Sequence, residues 1–124
     1  MKNNLYIIDD NADYANMLVK QATKSGWQAH SIQEPAEFLN KPLPESGVIF
    51  LDLTMPDMDG FQVIEALAEK QCKLSLVLIS GYDEEILSVA QNLASEHNLN
   101  VYTSLTKPVP MKDLLNLFKK LKEI

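Results

Sequence analysis

Val48-Ile49-Phe50-Leu51-Asp52-Leu53-Thr54-Met55-Pro56-Asp57-Met58-Asp59-Gly60 is an apolar run that stops on a carboxylate and breaks into an acidic turn punctuated by proline and glycine. Residues 48–51 read as a short buried strand, because the run is apolar throughout and too brief for a helix. A side chain at the C-terminal edge of a parallel strand points into the crevice where open α/β sheets bind and react. Asp52 is therefore the first candidate for chemistry.

Four further apolar runs, at residues 5–8, 27–32, 74–79 and 99–104, alternate with stretches of helical period. Ala15, Leu18, Val19 and Ala22 form one stripe at the i, i+3, i+4 spacing of a core-facing helix, and Ile64, Leu67 and Ala68 form a second. Ile86, Ala90, Leu93 and Ala94 form a third, and Met111, Leu114, Leu115, Phe118 and Leu121 a fourth. Gly26 is placed to close the first helix, Pro35 and Pro110 suit first-turn positions, and Asp83 is a candidate N-cap. A short helix at residues 35–40 precedes Pro42-Leu43-Pro44. This fivefold βα alternation predicts an α/β fold: one doubly wound parallel sheet, (βα)5, with right-handed crossovers and strand order 2-1-3-4-5.

The bulk properties narrow the function. With 124 residues, 46% of them hydrophobic, the chain fits a single domain spanning 1–124 that buries roughly two-thirds of its unfolded surface. A net charge of -6 argues against direct nucleic-acid binding, which needs clustered Lys and Arg. Cys72 is the single cysteine, so no internal disulfide or thiolate metal cluster forms, in keeping with a reducing cytosol; the thiol reads as a small packed hydrophobe at a helix end. No apolar run is long enough for a signal peptide or a membrane span, and the expectation is a soluble, cytoplasmic protein. His30 and His97 read as surface or helix-end residues, and Trp27 as packing at a strand start.

Polar groups collect where the strands end. Asp9 and Asp10 follow the first strand, Asp52 the third and Ser80 the fourth, while Lys107 follows the fifth just before Pro108. Taken singly, each has an ordinary explanation as a solvated turn or a cap. Parallel strands put all of them at one edge, and the predicted order seats the first and third strands side by side. Carboxylates crowded together repel unless a cation sits among them. Hard oxygen donors without His or Cys suit Mg2+, which binds through one or two carboxylates together with phosphate oxygens. In that arrangement Asp52 is the nucleophile, a metal held mainly by Asp10 and Asp52 offsets charge, Lys107 supplies a mobile cation and Ser80 a hydroxyl donor. The product would be an aspartyl phosphate.

At these residues the chain resembles the receiver domain of two-component response regulators, over essentially its whole length. The likeness rests on Asp9-Asp10, on Asp52-x-x-x-Pro56-x-x-Asp59-Gly60, on Ser80 and on Lys107-Pro108. It implies a flavodoxin-like receiver fold in which Asp52 takes a phosphoryl group from a sensor histidine kinase or phosphotransfer protein, in a Mg2+-dependent reaction. It also implies a metal site of Asp9, Asp10, Asp52 and the Thr54 carbonyl, and a cis Lys107-Pro108 peptide. Thr54 and Tyr82 would flank the phosphoryl group and control hydrolysis. The output would pass through the fourth helix, fifth strand and fifth helix to a linked domain or a second copy, with Leu117 as a candidate contact. One position departs from the pattern: Ser104 stands where many receivers carry a switching Tyr or Phe, and Tyr102 lies two residues away.

A narrower likeness, through Ser80-Gly81-Tyr82-Asp83, residues 94–101 and residues 104–108, is to receivers fused to cyclic-di-GMP phosphodiesterase (EAL) domains. An output domain of that kind exceeds 124 residues, so the expectation is an excised or a free-standing receiver. Three alternatives stay open at this stage. A haloacid-dehalogenase-like phosphohydrolase also uses a strand-end Asp with Mg2+, although Thr54 takes the place of its second Asp. A receiver-like adaptor would never see phosphate. A flavodoxin-type FMN module shares the architecture, but the chain turns acidic after Ile8 instead of offering a phosphate loop.

Overall fold

Successive side chains of a strand face opposite sides of its sheet, and in this protein that alternation sorts the strand residues into two cores. The computed structural model describes residues 3–54, 60–81 and 84–124. Its elements are β1 (Asn4–Ile8), α1 (Ala12–Lys24), β2 (Gln28–Ile32), α2 (Pro35–Leu39), β3 (Val48–Asp52), α3 (Gly60–Glu69), β4 (Ser75–Ser80), α4 (Glu84–Glu96), β5 (Asn100–Thr106) and α5 (Met111–Leu121). The five strands are parallel and lie in the order β2-β1-β3-β4-β5, as predicted.

Leu5 and Ile7 of β1, Val48 and Phe50 of β3, and Val77 and Ile79 of β4 pack against Leu18 of α1 and Leu114, Phe118 and Leu121 of α5. The alternate series, Ile8, Ile49, Leu51, Leu76 and Leu78, packs against Leu39 of α2, Ile64 and Leu67 of α3, and Leu87 and Ala90 of α4. Helices therefore cover both faces, which is why β3 and β4 are buried along their whole length. Each fully buried Leu, Ile or Phe contributes about 1.5–3 kcal/mol. No described helix is long and apolar enough to cross a membrane.

Local chemistry sets the helix ends. Asn11 caps α1, its side chain accepting from the Tyr14 N–H at 3.0 Å, an arrangement worth about 1 kcal/mol. Gly26, at φ +92, takes the left-handed turn that ends α1, where a side chain would be strained. Pro35 opens α2 in the first turn, and Pro110 is the N-cap of α5. Trp27 is buried before β2 and donates its indole N–H to the Phe118 carbonyl at 3.0 Å, tying α1's exit to α5. Cys72 is buried just beyond α3, and His30 and His97 are exposed. The candidate cap Asp83 lies outside the described residues.

Helix α5 corrects one expectation. Met111 and Leu115, assigned to its core stripe, are 43% and 39% exposed, whereas Leu117, expected as a surface contact, is 8% exposed. The Phe118 ring stacks on Phe50 with centroids 5.7 Å apart, and that anchor fixes the rotation of the helix. Leu114, Leu117, Phe118 and Leu121 then share the inward face at i, i+3, i+4, i+7. Val63 and Leu87 are core residues that the stripes of α3 and α4 omitted.

Candidate functional site

Strand alternation also brings the carboxylates together. Asp9 extends the series Leu5, Ile7, and Asp52 extends Val48, Phe50, so both belong to the α1/α5 side. The pairing Leu5↔Val48, Ile7↔Phe50 continues to put Asp9 beside Asp52 where the sheet ends. Both are 3% exposed; Asp10 faces solvent. One carboxylate oxygen from each of Asp9, Asp10 and Asp52 lies within 4.8 Å of the other two. Three hard oxygen donors at this spacing, without sulfur or imidazole, fit a divalent cation of the Mg2+ type.

Lys107 closes the cluster. Its Nζ donates to Asp9 Oδ2 at 3.1 Å and reaches Asp52 Oδ2 at 3.5 Å. Asp9 Oδ1 accepts from the Asn11 N–H at 2.9 Å. Asp52 Oδ1 accepts from the Thr54 N–H at 3.0 Å and from the Thr54 hydroxyl at 3.1 Å. Burial, reinforced by the Asp52 charge, pushes the Asp9 carboxyl above its ordinary value, against the opposing pull of the Asn11 N–H and Lys107. Burial would lower the Lys107 ammonium, but the Asp9 hydrogen bond and the two carboxylate charges outweigh it, and the group sits above its ordinary value.

Ser80 ends β4, fully buried. It pairs with Thr106, and its carbonyl accepts from the Lys107 N–H at 2.8 Å, so β4 holds the backbone that carries the ammonium. The Lys107-Pro108 peptide is cis. Gly60 sits so close to the chain after Asp52 that a Cβ there would fall 2.6 Å from Leu53 Cα. Pro56, Asp57, Asp59 and Tyr82 lie outside the described residues. Ser104, at the expected aromatic position, donates to Gln91 Oε1 of α4 at 3.3 Å. Tyr102 is the extra residue of a bulge, since the pairing passes from Val101 to Thr103; it is 38% exposed. A separate cavity of about 490 Å³ opens among the strand beginnings, lined by Trp27, Gly47, Lys73, Tyr102 and Lys122, and shares no residue with the carboxylates.

Two residues of the site went unnoticed in the sequence. Asn11 offered a signal, as a small polar residue directly ahead of the first helical stripe. Tyr14 lies beside that stripe in the first turn of α1, and its ring centroid is 4.3 Å from Lys107 Nζ.

Residues 5–119 match the family described as response regulator receiver domain. The chain belongs to that family. This receiver superposes on the crystal structure of a response regulator from Colwellia psychrerythraea with a TM-score of 0.90, at 37% identity over 99% of this chain and 98% of that one. It is 29% identical to the response regulator receiver protein CpdR of Brucella abortus, covering 98% of this chain and 97% of that protein. It is also 30% identical to the hybrid signal transduction histidine kinase L of Dictyostelium discoideum, over 92% of this chain and 7% of that protein. The receiver spans about half the length of several regulatory proteins that it matches. Receiver domains are signalling modules, not enzymes in the ordinary sense, and they interact with histidine kinases or phosphotransfer proteins. They bind Mg2+ at acidic clusters of the kind described above. Family membership decides against the phosphohydrolase and flavin-module alternatives.

Proposed function

We propose that Asp52 is the phosphoacceptor of this receiver and that residues 1–124 act as one receiver domain. The observation that carries the reading is the buried Asp52 carboxylate, placed within reach of two further carboxylates and the Lys107 ammonium. Two hydrogen bonds from Thr54 to Oδ1 orient the carboxylate. An Asp52 oxygen attacks the phosphorus of a phosphohistidine on a sensor kinase or phosphotransfer protein. The new O–P bond forms as the P–N bond breaks, and the electron pair leaves with the imidazole nitrogen. Lys107 exchanges its carboxylate contacts for the phosphoryl oxygens, and Ser80 donates its hydroxyl there. Asp9, Asp10, Asp52 and the Thr54 carbonyl would hold Mg2+, which when bound offsets the repulsion between carboxylate and phosphoryl group.

Phosphorylation adds about -1.5 to -2 charges beside a cation that already faces two anions. The domain exchanges between inactive and active forms, and the phosphoryl group favours the form in which Lys107 and Ser80 have moved inward. The signal leaves through α4, β5 and α5, where Ser104 and Gln91 replace the aromatic switch, toward a linked output domain or a second copy. A cyclic-di-GMP phosphodiesterase is the linked output that the narrower sequence likeness supports. The protein works in the cytoplasm, without direct contact to nucleic acid or membrane.

The test is labelling by phosphoramidate or acetyl phosphate. Wild type is labelled in Mg2+ and not in EDTA, and Asp52→Asn is unlabelled while keeping its circular dichroism spectrum. Undiminished labelling of Asp52→Asn overturns the assignment, and a folded wild type that takes no label from any donor supports the adaptor reading instead.

A further inference from the structure

We propose that Tyr14 is a positioning residue for Lys107: its ring is the platform that holds the ammonium between Asp9 and Asp52. The inference rests on the phosphoacceptor reading for its consequence and on geometry for its substance. Lys107 Nζ lies 4.3 Å from the centroid of the Tyr14 ring, within the range where the negative face of an aromatic attracts a cation, an attraction that strengthens as water is excluded. Lys107 is half-buried and Asp9 and Asp52 are buried, so the ammonium is partly shielded from water where the three partners meet.

The first turn of α1, which carries the ring, is itself tied to the cluster. Asp9 Oδ1 accepts from the Asn11 N–H at 2.9 Å. The Asn11 side chain caps α1 by accepting from the Tyr14 N–H at 3.0 Å. Tyr14 packs against the α1/α5 core, and Lys107 returns to Asp9 Oδ2 at 3.1 Å. The contacts form a closed circuit, Asp9 to Asn11 to Tyr14 to Lys107 to Asp9. A lysine has a long flexible stem and gives up rotamer entropy when it is held in one place. A floor beneath the ammonium limits its travel to the space where the phosphoryl oxygens arrive.

The ring and not the phenol carries this role. Tyr14 Oη is buried and has no hydrogen-bond partner among the described residues, so the hydroxyl is not what fixes the side chain. A buried unpartnered hydroxyl is a net penalty, and Tyr14→Phe keeps the platform while removing that penalty.

The ε-methylene protons of Lys107 in wild-type protein report the geometry directly by NMR. Bonded to an ammonium that stands 4.3 Å from the ring centroid, they are expected to resonate upfield of ordinary lysine values, and the shift persists in Tyr14→Phe and disappears in Tyr14→Leu. In parallel, Tyr14→Leu slows phosphoramidate labelling of Asp52 about tenfold, and Tyr14→Phe restores the rate to within about twofold of wild type. In a Lys107→Met background, Tyr14→Leu produces no additional slowing, because the residue acts through the ammonium. A Lys107 methylene at ordinary lysine shifts in wild type overturns the proposal without any variant having to fold. Equal slowing by Tyr14→Leu with and without Lys107 also overturns it, as does a Tyr14→Phe as slow as Tyr14→Leu. Because the NMR arm involves no phosphoryl transfer, failure of the platform is distinguished from failure of Asp52 as acceptor, which appears as a wild type that takes no label at residue 52.

Discussion

Thr54 grips one oxygen of Asp52 twice, through its backbone N–H at 3.0 Å and its hydroxyl at 3.1 Å. Both bonds fall on Oδ1, while Oδ2 faces Lys107 at 3.5 Å. The two oxygens of this carboxylate are therefore distinct before any donor arrives. Thr54→Val keeps the backbone bond, the shape and the β-branch, and removes the hydroxyl. A hydrogen bond to a charged group at a partly exposed position is worth about 1 kcal/mol, so the labelling rate at saturating Mg2+ falls by about fivefold. Rapid-quench labelling of the variant checks this, and an unchanged rate removes the hydroxyl from the account.

Asp9 gives the apo protein a pH-dependent weakness. Its folded-state value is raised above the ordinary 3.8, first by burial and then by the Asp52 charge. The neutral form is thus the one the fold prefers. That preference stabilises the protein fully below the unfolded value and is lost as pH rises through the raised folded value. At pH 7 without a divalent cation the ionised, buried Asp9 is a net liability. Asp9→Asn accordingly raises the Tm by a few degrees in EDTA at pH 7, and the gain shrinks as pH falls toward 4. Mg2+ narrows the difference by stabilising the wild type. Thermal unfolding across this pH series decides, and a lower Tm for Asp9→Asn in EDTA at pH 7 contradicts the prediction.

The architecture was legible because its signals are collective. Five apolar runs alternating with helical stripes admit few arrangements, and the parity of Leu5-Ile7-Asp9 and Val48-Phe50-Asp52 carries the pattern into the site. What escaped depended on contacts between elements. The orientation of α5 is set by Phe118 against Phe50, a pairing of residues far apart in sequence, and no helical period chooses between Leu115 and Leu117 without it. Tyr14 beneath Lys107 joins residues that are still further apart. Asn11 was local and readable, as a cap residue ahead of a stripe.

The exchange of Leu115 and Leu117 between surface and core has a direct thermodynamic expression. Leu117 is 8% exposed and Leu115 is 39% exposed. Leu117→Ala opens a hole beside Phe118 and lowers unfolding stability by about 2–4 kcal/mol. Leu115→Ala changes it by less than about 0.5 kcal/mol. Urea unfolding of both variants checks the pair, and equal losses would return α5 to the rotation first expected from the sequence.

On the proposed function, the carboxylate of Asp52, and no other group, receives the phosphoryl group. Borohydride reduces an aspartyl phosphate to homoserine, which marks the site covalently. After treatment with phosphoramidate and Mg2+, reduction and peptide mass spectrometry, the expected result is homoserine at position 52 and none when EDTA replaces Mg2+. Homoserine at position 9 or 10, or no homoserine in a protein that carries label, would contradict it.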